Sequence, residues 1–347
     1  MLLCLSSGHS RRYREDVLRS AGLPKGALIQ FRYDERHLGP GVRGLIDTGQ
    51  VVDKDVLIAY SDQSAKDHDP EMLPCRYAAV ASFEKAGTTV SLTLRLLDHA
   101  FSDRIGAFNA ELQQLSAGLI PKRVAGKISG CYFIELNAEP RALVRTTDGQ
   151  NWQRLIDQLA DRVDFQMYDT FLLMRSIVGT SGAIVEFNEN GQIQLKPDAR
   201  YTIKVYQYHP NKIPAANRIE AASASSRIHF LSDPILVLDS RYDHKEFLFE
   251  TTSAIEGEES SIKIIQKDVS NEELPIEYDV RFSIAAGWGR AIAYAVLIAL
   301  LLAAPHFTTL LATTALNGFK LASLLTVAAL SSIGAALIAV FKIRRIL

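Results

Sequence analysis

The sequence predicts a multidomain α+β protein: a mixed α/β domain over residues 1–178, an immunoglobulin-like β-sandwich over 179–284, and a two-helix transmembrane hairpin over 285–347. Three observations predict it. Helix and strand signals mix in the first half. Short apolar–polar alternations then recur at spacings of about ten residues, the mark of an all-β sandwich. Beyond Arg290 the chain is almost free of charge until the closing FKIRRIL.

Taken in order, LLCLS is a short apolar strand. Ser10 to Ala21 reads as a helix, with Ser10 as N-cap, Gly22 just past its end and Pro24 as a stop. GALIQFRYD and DVLIAYSD are strands, as are RYAAVASFEK and TTVSLTLRLLDH, which turn around Ala86-Gly87. An amphipathic stretch after Phe108 and a strand at CYFIEL follow. One or two helices are expected between Gln150 and Val178, capped by Asp148, with Trp152, Leu155, Ile156 and Leu159 as their apolar stripe.

In the sandwich region AIVEFNENGQIQL carries Asn190-Gly191, a strong hairpin signal. RYTIKVYQYHP, RIHFL, PILVLDSRYDHKEFLFETTS, SSIKIIQKD and PIEYDVRFSI continue the pattern, which gives seven to nine strands. In the last of these Ile276, Tyr278, Val280, Phe282 and Ile284 alternate with polar residues. AASASS, from Ala221 to Ser226, reads as a loop. The usual inter-sheet disulfide is excluded, since no cysteine follows Cys131.

The final segment contains two uncharged runs separated by Asn317-Gly318. At 1.5 Å per residue, residues 291–304 cover only about 21 Å of a roughly 30 Å hydrocarbon core. Continuing through Pro305 to Leu311 makes the first span long enough, and 320–341 suffices for the second. Arg290, Lys342, Arg344 and Arg345 flank the outer ends. The expectation is therefore a multi-pass protein of the inner (cytoplasmic) membrane with both termini cytosolic. Ala328, Ser332 and Ala336 form a small-residue face for helix packing, within one chain or in a homo-oligomer.

Composition limits function. A formal net charge of -1 argues against nucleic-acid binding by bulk charge. The three cysteines, Cys4, Cys75 and Cys131, form no CxxC pair, which favours a reducing compartment. No export signal is visible in MLLCLSSGHSRR.

One segment breaks a physical rule. SSGHSRRYRED puts Arg11, Arg12 and Arg14 in the first turn of a helix, where each cation opposes the helix dipole by about 0.3–1 kcal/mol. A strand, a Ser/Gly loop and a helix are also how backbone amides are aimed at phosphate. The candidate anion site is therefore Ser10, Arg11, Arg12, Arg14 and Arg32, with Arg36 nearby. The plainer alternative is a solvated basic turn paired with Glu15 and Asp16. Neither a Walker pattern nor GxGxxG accompanies it.

DQSAKDHDPE reads as a solvated acidic loop rather than a metal site. Ser6 or Ser10 with His9 lacks the elbow of a hydrolase, and Cys4 and Cys131 lie in apolar strands. No catalytic residue, metal site or cofactor is assigned. The expected function is a membrane-tethered recognition or sensor protein, of the layout used by bacterial stress or antiviral effectors. Its expected partners are the lipid bilayer, an anionic ligand (a nucleotide or phosphate group) and further copies of itself. The alternative is a membrane-anchored enzyme of nucleotide or phosphoester chemistry.

Overall fold

β1 (Leu2–Ser7) is buried along its whole length, and its position explains why. It lies between β3 (Asp55–Asp62), to which it runs parallel, and β8 (Phe133–Glu135), to which it runs antiparallel. Apolar elements cover both faces, so the run Leu2-Leu3-Cys4-Leu5 needs no polar side. The structure, a computed structural model, describes residues 1–140, 144–146, 149–210, 217–238, 240–252, 257–267 and 275–285.

The remaining strands of this first sheet are β2 (Leu28–Asp34), β4 (Glu71–Ala86), β5 (Thr89–Phe101) and β9 (Arg145–Thr146). The order is β2-β5-β4-β3-β1-β8, with β9 beside β5. Register irregularities at Ile58/Ala59, Arg76/Ala78 and Val80/Ser82 place bulges in its middle strands. Bulges raise local twist and bend a sheet. Its two edges accordingly meet at one end. The Tyr132 amide donates to the His37 carbonyl at 2.7 Å and the Gly39 amide to the Phe133 carbonyl at 2.8 Å. Tyr33 stacks on Phe133, and its hydroxyl donates to the Leu5 carbonyl at 2.9 Å. The seam stays open beside Ser6 and Ser7.

α1 (Arg11–Gly22) covers one face of this sheet with Val17, Leu18 and Ala21. α2 (Pro40–Asp47) packs on β8, and α3 (Ile105–Leu115) packs on β4. The opposite core gathers Leu3, Leu5, Leu57, Met72, Phe108 and Leu112. β6 (Lys122–Val124) and β7 (Lys127–Ser129) form a separate hairpin. Its two-residue turn, Ala125-Gly126, has both φ angles positive (49° and 77°), the geometry that matches strand twist.

α4 (Gly149–Ala160) buries Trp152, Leu155, Ile156 and Leu159, the stripe its spacing predicts. Its expected cap, Asp148, lies outside the described residues. The helix expected to continue to Val178 is replaced by β10 (Phe171–Gly179), a strand paired with β12 (Arg200–Tyr208).

Two further sheets complete the described strands. One has the order β10-β12-β16-β14, with β14 at Ile228–Phe230 and β16 at Tyr242–Thr251. The other has the order β11-β18-β17-β13-β15. Its members are β11 (Ile193–Leu195), β13 (Asn217–Ser223), β15 (Ile235–Leu238), β17 (Glu258–Lys267) and β18 (Ile276–Ile284). β18 buries the five alternating residues its period of two predicts. Ala221 to Ser223, expected in a loop, belong to β13, where Ile219 and Ala221 are buried.

The chain divides into two compact units. The first comprises Met1–Gln194, Ala199–Glu250 and Ser260–Phe282. In the second, made of Leu195–Asp198, Thr251–Glu259 and Ser283–Leu347, the Thr251 hydroxyl donates to the Lys196 carbonyl at 2.6 Å.

The fold class expected from the sequence requires correction. The described chain is mostly β-sheet with four α-helices. No helix among the described residues is long and apolar enough to cross a membrane. The longest, α1 and α4, have 12 residues each and span about 18 Å, well short of a bilayer core. The segment assigned to the hairpin, with Ala328, Ser332 and Ala336, lies outside the described residues. The transmembrane hairpin and the multi-pass inner-membrane placement are thus not supported and are set aside.

Candidate functional site

Parallel strands leave a crevice beyond their carboxyl ends, where loops rather than hydrogen-bonded neighbours meet solvent. Here the parallel pair is β1 and β3, and the crevice coincides with the open seam of the curled sheet. A cavity of about 570 Å³ occupies it, within the usual range for small-molecule sites.

Burial sorts the lining into a floor and a rim. The floor is Leu5, Ser6, Ser7, Asp16, Phe31 and Tyr33, all buried. The rim is His9, Tyr13, Arg32, Arg36 and Lys127, all exposed. Gln63, His37 and Tyr132 form the side wall, where the Gln63 side-chain amide donates to the Tyr132 hydroxyl at 2.8 Å. The β6–β7 hairpin contributes Lys127 and Ile128. It is held by Arg123, whose guanidinium donates to the carbonyls of Gln63, Ala65 and His68. The Arg123 amide also binds the Asp69 carboxylate at 2.8 Å. The loop read as solvated is therefore partly a mount for this hairpin.

The sequence-derived candidates divide. Ser10 caps α1, its hydroxyl accepting from the Tyr13 amide at 3.4 Å. Arg11 is engaged by Glu15 at 2.5 Å and donates to the Pro275 carbonyl at 3.3 Å. Arg14 donates to the Gly8 carbonyl at 2.8 Å. These two arginines answer the dipole conflict by local pairing. Arg12 is exposed and does not line the cavity. Arg32 does line it, and neither Arg32 nor Lys127 makes an ion pair among the described residues. Among the described residues Arg36 has one ion pair, a long 3.7 Å contact to Asp34, which also lines the cavity.

Electrostatics at the floor differ from those at the rim. Burial raises Asp16 to about 6, against the pull of Arg19 and Arg12. Burial, then the neighbouring Arg36, lowers His37. Burial pushes Cys4 and Tyr33 well up, so neither is an activated nucleophile. The Ser6 hydroxyl is committed to the Tyr13 carbonyl at 2.9 Å. Among the described residues no group of three or more His, Cys, Asp or Glu could hold a metal ion.

Two glycines set the backbone around the site. A Cβ at Gly8 would fall 1.5 Å from the Asp164 carboxylate, which accepts from the Tyr60 hydroxyl. A Cβ at Gly22 would fall 2.4 Å from the Tyr278 ring and 2.5 Å from the Leu172 carbonyl. Gly22 therefore permits close docking of α1 on the later strands, not a left-handed cap. The helix ends instead on buried cations and rings. Arg76 donates to the carbonyls of Ser20 and Leu23, while His99 and Trp152 donate to that of Ala21.

No protein-family description and no curated relative matches this chain. Solved structures match only loosely. A FixG-related protein from Vibrio parahaemolyticus is 12% identical over 33% of this chain and 94% of that one, with a TM-score of 0.22. The periplasmic chaperone SfaE is 6% identical over 28% of this chain and 56% of its own, with a TM-score of 0.21. The secreted serine protease VesC from Vibrio cholerae is 12% identical over 62% of this chain and 57% of that one, with a TM-score of 0.23. Likenesses this weak carry no argument about fold or activity, and the site rests on its own geometry.

Proposed function

We propose that this protein is a recognition module that binds a phosphorylated small molecule in the seam cavity. One observation carries the reading: Arg32 and Lys127 stand at the mouth without ion pairs among the described residues, with Arg36 beside them. Uncompensated cations around a concave, partly apolar site attract an anion of matching size. The amino-terminal end of α1 adds its positive dipole end from the same side. Recognition is favoured over turnover because three of the side chains suited to attack are otherwise engaged. Ser6 donates to a backbone carbonyl, Ser10 caps a helix, and burial holds Cys4 protonated.

The test is calorimetric titration of the full chain with inorganic phosphate and with nucleoside monophosphates, repeated at several salt concentrations. Affinity is expected to fall as salt rises, since the contacts are largely ionic. Arg32→Ala with Lys127→Ala should weaken binding at least tenfold while leaving the fold intact, because exposed charges contribute little to stability. Undiminished binding in that folded double variant would remove the proposal.

A further inference from the structure

Asp16 is the anomaly of the cavity. Cations stand at its mouth, with Asp34 beside Arg36, and its buried floor holds a further carboxylate, 4% exposed. Nothing in the fold compels a charge there. Its only ion pair among the described residues joins Oδ1 to Arg19 at a long 3.5 Å, and Oδ2 accepts no hydrogen bond. Oδ2 is not sealed in the core but opens onto the cavity, where it is free to accept from whatever occupies it. The surroundings restrict what can fill it. Phe31 and Tyr33 present aromatic surface in the same cavity. A hydrated sugar or a free cation would leave that surface unmatched, whereas a flat heterocycle would cover it.

We infer that Asp16 reads the base of a purine nucleotide, and that the base is guanine. This rests on the proposed phosphate-binding role of the rim. A carboxylate offers two adjacent acceptors and no donor. Among the common bases only guanine presents two adjacent N–H donors on its pairing edge, from N1 and the 2-amino group. Adenine pairs one donor with an acceptor, cytosine sets one donor beside two acceptors, and uracil flanks its single donor with acceptors. The ligand then lies with its phosphate at Arg32, Arg36 and Lys127 and its ring on the buried floor. Charge at the mouth and a single acid at the bottom are thus two ends of one recognition.

The experiment titrates guanosine, inosine, adenosine and xanthosine 5′-monophosphates into the full chain and into Asp16→Asn. A two-point contact discriminates between bases by about tenfold to a hundredfold. Guanosine monophosphate should bind tightest, with the inosine compound, lacking one donor, intermediate and the adenosine compound weakest. Asp16→Asn replaces one acceptor by a donor, so it should lose the guanosine compound and gain the xanthosine one. A 2′,3′-dideoxyguanosine monophosphate should bind as guanosine monophosphate does; its failure to bind would assign Asp16 to the sugar and overturn the inference. If guanosine and adenosine monophosphates bind equally, are both lost with Arg32→Ala and keep their ratio in Asp16→Asn, the base reading fails and the phosphate site stands. If no nucleotide binds and Arg32→Ala changes nothing, both readings fall.

Discussion

Replacing Asp16 by asparagine should stabilise the unliganded protein progressively from about pH 4, the full gain being reached above about pH 6. The folded chain keeps the Asp16 proton until about 6, whereas the unperturbed carboxyl releases it at 3.8. Between those values the folded state binds more protons than the unfolded one, so stability falls as pH rises through the window. Above it the deficit is complete. A shift of about two units corresponds to roughly 3 kcal/mol. The dominant cause is burial, and the figure already includes relief from Arg19 and Arg12 on the same helix. Glu15 on α1 works in the opposite direction, while Cys4 of β1 and Tyr33 of β2 face the carboxylate as neutral groups held protonated by burial.

Asparagine nearly matches the protonated carboxyl in shape and carries no charge. Parent and variant should therefore be about equally stable near pH 4, diverge as the unfolded parent ionises, and level off once the folded parent ionises near pH 6. Urea unfolding of both proteins at half-unit steps from pH 4 to 8 measures this directly, because every other titrating group cancels in the difference. The expected result is a variant more stable by roughly 3 kcal/mol above pH 7. A difference that stays flat with pH, or a parent more stable above pH 7, would refute the buried-charge argument. Saturating guanosine monophosphate should reverse the order, since ligand at a thousand times Kd adds about 4 kcal/mol to the parent alone.

The remaining expectations test how the site is mounted. Gly22→Ala should destabilise by about 1–3 kcal/mol through its clash with Tyr278 and the Leu172 carbonyl, although helix propensity alone predicts a gain of about 1 kcal/mol; the sign of the shift in urea midpoint decides. Arg76→Leu should cost about 3–5 kcal/mol by the same measurement, because it strands buried carbonyls of Ser20, Leu23 and Leu97. Gly8→Ala and Asp164→Ala should be non-additive, the double variant being more stable than their separate losses imply, since removing the carboxylate relieves most of the clash and leaves only the 2.7 Å approach to the residue 164 Cβ. Additive losses would show that Gly8 does not yield to Asp164.

What could be read in the chain depended on whether one local rule acted alone. α1 was legible because Ser10 caps it and its apolar residues keep a helical period. β18 was legible because each second residue is buried. β10 was not. Its register shift between Met174 and Ser176 breaks the alternation, which leaves an apolar run that suits a helix equally well. β13 hid behind alanine and serine, small residues that fit a strand between two neighbours but announce nothing. The supposed membrane hairpin came from uncharged runs, a turn pair and flanking cations, and the described helices give it no support.

The site was half legible for a related reason. The arginine-rich turn after β1 drew notice because cations at a helix start demand an explanation, and its neighbours His9 and Tyr13 line the cavity. Two of those cations, however, serve local pairing at Glu15 and Gly8. The cations that face the cavity come from β2, the turn after it and the β6–β7 hairpin, far apart in sequence. Only the curl of the first sheet, set by bulges in β3, β4 and β5, brings them together. α1 then gains a second role. Asp16 faces the cavity, while Arg19 beside it donates to the Glu277 carbonyl at 2.9 Å and binds Glu15, which also holds Arg11. One helix thus carries both the acid at the cavity floor and the contacts to β18. The close docking that Gly22 permits ties the position of that acid to the later strands, so a change that loosens the docking should also blur recognition at the floor.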